Sequence, residues 1–306
     1  MYGLFLLTLR ELRARKVVIG LAVVATVMWI GFALALQLDV VDGSLAGARI
    51  FGQDMFGEQM PASPDDPILD DEGNPVLGRD GEVRTHREQL DFGSTFLEEM
   101  VFGAQVFVSM AAYWVGMVLA LFATGGLVAS LTERGQVDVL LTKPLSRSAV
   151  LGGRLLGVGA VTLGLIAYLI GAVWLVMSIK TGIWNPRFLL AIGVLFGMFA
   201  VLYSIVTLVG VWSGSGPLSM VVTLGVAFVS LILGIDALPE AVNSTWRPLV
   251  VGGYHLLPKF GDVGTALVPQ LATRQPVESL YPFAASLAFG AALYGAAFSL
   301  FARKDF

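Results

Sequence analysis

The chain has 306 residues, of which 56% are apolar and only 14% charged, and its mean hydropathy is +0.78. Soluble domains carry roughly 25% charged residues, so there is too little polar surface here for one or two water-soluble globules. The lack of cysteine excludes a disulfide-stapled domain and any thiolate metal site, and a net charge of −4 excludes a nucleic-acid binder. What remains is an integral membrane protein.

Residues 1–16, MYGLFLLTLRELRARK, place Tyr2, Phe5, Leu6, Leu9 and Leu12 near helical spacing and gather cations toward the end. Such a segment reads as an interfacial elbow helix. A charge-free stretch follows, Val17–Leu38. At 22 residues it is too long for a signal-peptide core, and no small-residue cleavage site follows cleanly, so an uncleaved anchor is expected. A spanning helix needs about 20 apolar residues, and further stretches of this kind lie at Met100–Thr132, Leu155–Ile179 and Ser279–Ala302. Phe188–Ile235 is charge-free for 48 residues and is divided by Ser213-Gly214-Ser215-Gly216-Pro217, where Pro217 suits a helix start. The expected architecture is therefore all-α, a single membrane domain over 1–306 with six spans, at 17–38, 100–131, 155–179, 188–212, 217–235 and 279–302.

Basic residues near the span ends orient the chain. Six spans put the N-terminus, the 132–154 link and the C-terminus on one side, with 10 basic and 4 acidic residues; the other side has 9 basic and 19 acidic. The sides carry +6 and −10, which places both termini in the cytoplasm, and the expected location is a prokaryotic inner membrane. The spans lack ionisable residues, and His86 and His255 both fall in outer segments. Proton relay, ion coupling and intramembrane proteolysis therefore have no candidate residues. Gly116/Ala120/Thr124, Gly153/Gly157, Gly193/Gly197 and Ala291/Gly295 are spaced for close helix packing, within one subunit or at a dimer seam.

The outer loop 39–99 holds 15 acidic and 4 basic residues. Its turn-rich middle suggests a small hairpin or irregular cap. Asp65, Asp66, Asp70, Asp71 and Glu72 do not follow EF-hand spacing, so no metal is expected. Gly73 and Gly78 have the spacing of a phosphate loop, but Arg79-Asp80 replace the required Lys-Ser/Thr. Docking of an extracytoplasmic protein is the more plausible use of the acids. The second outer segment, 236–278, contains apolar runs too short to span, broken by Gly252-Gly253, Pro258 and Pro269. These suit re-entrant or interfacial helices, with Trp246, Tyr254 and Tyr281 at headgroup level.

The link 132–154, TERGQVDVLLTKPLSRSAVLGGR, combines a short helix candidate at Gln136–Thr142 with a stop at Pro144 and a possible cap at Ser146. Its Glu133-Arg134-Gly135, Leu140-Leu141, Pro144, Ser146-Arg147 and Arg154 resemble the coupling segment of ABC transporter permeases of the ABC-2 exporter class, including the branch linked to copper-enzyme maturation. Arg154 stands where Lys is common, and the first outer loop is enlarged.

The resemblance implies a homodimer working with a separate ATP-binding cassette ATPase, which would hold ATP-Mg while this chain binds no cofactor and is itself no enzyme. It places Glu133, Arg134 and Gly135 at the start of a coupling helix, and Val139, Leu140 and Leu141 in a groove of the ATPase. Lys143 and Arg147 would make rim ion pairs around the Pro144 and Ser146 turn. The expected function is ATP-driven export or force transmission, with a hydrophobic cargo favoured over an ion. The competing expectation is a non-transporting scaffold that anchors a periplasmic maturation protein.

Overall fold

The computed structural model describes residues 16–41, 44–50, 53–54, 75–76, 83, 87–129, 146–235, 240 and 243–304. The interfacial elbow, the acids at 65–72 and coupling residues 133–144 lie outside the described residues.

Helix α1 is Lys16–Ala35. Helix α2 is a rod from Arg87 to Ala129, made of Arg87–Ala111, a π-helical turn at Ala112–Gly116, Met117–Thr124 and Gly126–Ala129. Helix α3 is Arg147–Thr181, α4 is Leu190–Ser213 after a 3-10 turn at Pro186–Leu189, and α5 is Gly216–Leu233. Helix α6 is Arg247–Leu256; α7 joins Phe260–Asp262, a π turn at Val263–Leu267 and Val268–Ala272; α8 is Tyr281–Arg303. Among the described residues five helices, in α2, α3, α4, α5 and α8, are long and apolar enough to cross a membrane, while α1 contributes a shorter apolar run at Val18–Gly31. The body is that of an all-α membrane protein.

Local chemistry explains most boundaries. Ser146 is extended and its hydroxyl accepts the Ala149 N–H at 3.2 Å, capping α3, while Gly182 ends it in the left-handed region at φ 72°. Gly214 closes α4 at φ 67°, and Ser215 opens α5 with Pro217 in its first turn.

Two boundaries differ from the sequence expectation. Helix α1 stops at Ala35 rather than residue 38, because Leu36–Val41 pairs with Ser44–Ile50 as strands β1 and β2; a third strand, β3, is Gln53–Asp54. The Lys180 ammonium hydrogen-bonds the Ala33 carbonyl, one of the orphan acceptors of the last turn. Strand pairing in the acidic loop is described at its membrane end; most of the middle, where a hairpin or cap is expected, lies outside the described residues, with Pro75 and Val83 in bridges. Finally, α2 starts at Arg87 instead of 100, so the last part of the expected loop 39–99 is helix. Charges such as Glu98 and Glu99 mark where lipid ends, but a helix can continue beyond that edge.

Helix α4 is the central post: 67% of its membrane window is buried, against 17% for α8. It is apolar on every side, as a buried helix should be. Leu195, Met198, Phe199, Leu202 and Tyr203 anchor the main core, and the Phe199 and Tyr203 rings stack 5.4 Å apart. A Cβ on Gly197 would lie 2.7 Å from Phe283, and one on Gly290 would lie 3.1 Å from the Val201 backbone, so α4 and α8 approach closely through glycine. The Gly193/Gly197 spacing therefore serves packing within the chain at Gly197; Gly193 and Gly295 meet nothing within 4 Å. Helix α1 leans on α3, where the Tyr168 hydroxyl accepts from Trp29 Nε1 at 2.9 Å and shares a hydrogen bond with Thr26. Between α1, α2, α3 and α4 lies an apolar cavity of about 80 Å³, lined in part by Ala25, Gly116, Ala120 and Thr162.

Candidate functional site

At one end of the bundle, α2 and α3 terminate on either side of residues 130–145. Their termini are clasped to the bundle by small residues and cations. A Cβ at Gly216 would lie 3.2 Å from the Gly126 Cα, and one at Gly125 would collide with Met220 Sδ. A side chain at either position would require its neighbours to shift. Arg154 is buried, and its Nε donates to the Leu127 carbonyl at 3.1 Å, so a cation at the base of α3 satisfies an acceptor in the last turn of α2. Tyr203 OH donates to the Thr124 carbonyl at 3.2 Å. Lys304 Nζ donates to the Val211 carbonyl at 2.7 Å in the last turn of α4, and Arg147 donates to the Lys304 carbonyl. Of the coupling residues expected from sequence, Ser146 and Arg147 are thus placed at the start of α3. Glu133, Arg134, Gly135, Val139, Leu140, Leu141, Lys143 and Pro144 lie outside the described residues.

At the opposite end, α6 and α7 form the helix–break–helix unit expected for 236–278, with the turn Pro258-Lys259-Phe260 between them. Three membrane helices hold this turn. From α5, the Ser230 hydroxyl donates to the Pro258 carbonyl and accepts the Phe260 N–H at 3.1 Å. From α8, Ser286 Oγ accepts the Lys259 N–H at 2.8 Å and donates to the Pro282 carbonyl at 2.7 Å. From α2, Tyr113 OH donates to the Phe260 carbonyl at 2.7 Å, and the two rings stack 4.8 Å apart. Trp114 meets Phe260 edge-on at 5.2 Å.

The π turn of α7 abuts that of α2, because a Cβ on Gly264 would lie only 2.5 Å from the Tyr113 ring. π turns occur frequently at functional positions in helices. Sequence spacing could not have found this site, since none of Tyr113, Ser230, Phe260 and Ser286 belongs to a local motif.

Lys259 is 2% exposed. Its Nζ hydrogen-bonds the Tyr254 carbonyl and, at 3.1 Å, the Leu257 carbonyl, and lies 4.2 Å from the Tyr254 ring centroid. Burial pushes its pKa below the ordinary lysine value, and the Asp262 carboxylate pulls it partly back. Tyr254 OH donates to Asp262 Oδ2 at 2.5 Å, which locks α6 onto α7. Of the three aromatics expected at headgroup level, Trp246 and Tyr281 are exposed and Tyr254 is half-buried.

A second knot lies nearby. Buried Asn185 donates to Gln105 Oε1 and to the Ala272 carbonyl, both at 2.8 Å, so it joins the α3–α4 turn to α2 and α7. Arg274 adopts φ 58° and hydrogen-bonds the Trp184 carbonyl and, at 3.4 Å, Asn185 Oδ1. Among the described residues no group of three His, Asp or Glu could hold a metal ion. The arrangement offers no convergent nucleophile, base and oxyanion donor.

One helix, α2, therefore runs from the clasp to the turn. A family model described as ABC-2 family transporter protein matches residues 9–306, nearly the whole chain. The chain belongs to the ABC-2 transporter family. It is a multi-pass membrane permease component of an ABC transporter. No curated protein and no solved structure matches it. For an ABC-2 permease two positions on α2 take on distinct meanings: its C-terminal end borders residues 130–145, and Tyr113, near its middle, carries the aromatic contact to the Pro258-Lys259-Phe260 turn.

Proposed function

We propose that the chain is the six-span membrane subunit of an ABC exporter, acting as a homodimer with two copies of a separate ATPase that binds ATP-Mg. In this reading α1 is the first span, residues 1–16 form the interfacial elbow, and both termini and residues 132–154 face the cytoplasm across the inner membrane. Val139, Leu140 and Leu141 dock on the ATPase behind Glu133-Arg134-Gly135. Lys143 and Arg147 pair at the rim, and Pro144 and Ser146 turn the chain into α3. Closure of the ATPases displaces this link, and the change in link position selects between two packings of the bundle.

The observation that carries the proposal is the continuity of α2 between the link and Tyr113, whose hydroxyl and ring hold Phe260. The clasp made by Arg154, Tyr203 and Lys304 ensures that a push on the link moves helices rather than fraying their ends. The α6–α7 unit then acts as an outer gate. Acidic residues 39–86 supply a docking surface for an extracytoplasmic protein.

The test uses the complex in proteoliposomes. Leu140→Asp and Leu141→Asp should abolish association with the ATPase, or uncouple ATP turnover from transport, while leaving the permease folded by thermal unfolding. Coupled activity equal to wild type in both variants would overturn the assignment.

A further inference from the structure

On the flank away from α1, helices α3, α4 and α8 leave an open groove of about 650 Å³. Gly152, Gly159 and Ala160 form its floor, and Leu156, Leu163 and Phe298 are among its walls. Leu156 is 59% exposed, so the groove opens sideways, toward the bilayer. Its depth has a definite length. From Gly152 to Leu163 α3 rises about 16 Å at 1.5 Å per residue, and one leaflet of the hydrocarbon core is about 15 Å thick. The groove therefore begins one helical turn from the clasp end and stops near the midplane.

Among the described residues, the charges at its mouth are cationic. Arg147 lies five residues before Gly152 on α3, and Arg303 lies five residues after Phe298 on α8. Each is thus about 7.5 Å of helix rise beyond the groove's end, at headgroup depth. Arg147 reaches across to the Lys304 carbonyl, which ties the two walls together at this level, and Arg303 is exposed. An apolar slot one leaflet deep, capped by cations, has the layout of a phospholipid with an acidic headgroup.

We propose that this groove binds an anionic phospholipid from the leaflet on the Arg147 side, with an acyl chain along Gly152, Gly159 and Ala160 and the phosphate beside Arg303. Charge complementarity selects the headgroup, and the small residues admit the chain. Leu163 and the α4 wall at Phe196 set the depth at which the chain ends. The site does not depend on what the transporter carries, and its lipid is a resident partner rather than the cargo.

The full chain, reconstituted in phosphatidylcholine nanodiscs, tests this with a trace of phosphatidylglycerol bearing a photoreactive acyl chain. The expected result is labelling concentrated on the Gly152–Leu163 and Phe298 peptides, several-fold above that on the equally lipid-facing Val23–Val27 stretch of α1. Ala160→Trp, at an exposed position that accepts bulk without disturbing the core, should reduce groove labelling at least fivefold. Arg303→Gln should weaken the preference for phosphatidylglycerol over photoreactive phosphatidylcholine about fivefold, as expected for loss of one surface cation. Uniform labelling of all lipid-facing helices would overturn the proposal. So would labelling unchanged in Ala160→Trp, or crosslinks from the groove to residues 1–15 or to a second copy in place of lipid.

Discussion

The two ends of the bundle are held by different chemistry. At the clasp end, cations donate to carbonyls at helix C-termini: Arg154 to Leu127, and Lys304 to Val211. At the other end, a non-helical turn is held by hydroxyls and rings: Ser230, Ser286 and Tyr113 on Pro258-Lys259-Phe260. The first arrangement satisfies groups that every helix terminus leaves unpaired, and its bonds are charge-assisted. It fixes the helix ends as a frame. The second holds a separate piece of chain by neutral hydrogen bonds, each worth only about 1 kcal/mol, and by one aromatic stack. Such a contact can be broken and remade in a working cycle, whereas the frame must persist.

This contrast can be broken in a definite order. The largest effect is expected from Gly264→Val, which forces a side chain into the buried Tyr113 ring; overpacking of this kind should cost about 3 kcal/mol and lower the thermal midpoint in detergent. An unchanged midpoint would show that the two π turns are not in contact. Next, Arg154→Met removes the charge-assisted hydrogen bond from Arg154 Nε to the Leu127 carbonyl and should cost about 2 kcal/mol, again read as a thermal shift. If Arg154→Met were neutral, the clasp would not be a frame.

Tyr113→Phe is smaller in stability, at about 1 kcal/mol, because the stack with Phe260 survives. It should nevertheless alter ATP-driven activity of the complex more than Arg154→Met alters it per unit of stability lost. The opposite ranking would assign the moving part to the wrong end.

The smallest effect concerns pH. Lys259 has a folded pKa below its ordinary value of 10.5, so the unfolded chain binds more protons between those two pKa values. Stability of the wild type relative to Lys259→Met should therefore rise as pH increases through that window and be flat below it. A difference that falls with rising pH would mean that the ammonium is stabilised in place by Asp262 and the carbonyls.

Much of the frame was legible in the amino-acid sequence because lipid imposes a one-dimensional rule. The Ser213–Pro217 break, the Ser146 cap and the short helices of 236–278 follow from turn chemistry and from runs too short to span. The start of α2 at Arg87 was hidden because charge locates the membrane edge and not the end of a helix. Strands β1 and β2 were hidden because Leu36 and Leu38 extend an apolar run that length alone assigns to α1.

The outer contact was not legible at all. Tyr113 and Phe260 are 147 residues apart, and nothing local distinguishes Tyr113 from other membrane tyrosines. The π turns that bring them together likewise leave no mark in residue spacing. The motif at 133–147 pointed to the ABC-2 class from a short stretch, whereas the family match extends over residues 9–306.

The central claim is that α2 transmits motion between the link and the Pro258–Phe260 turn. The chain has no cysteine, so a single engineered pair can be joined without competing thiols. Trp114→Cys with Phe260→Cys, bridged by a short reductant-cleavable crosslinker in the complex with its ATPase, should lower ATP turnover at least tenfold, and reduction should restore it. Full turnover with the bridge in place would contradict the account.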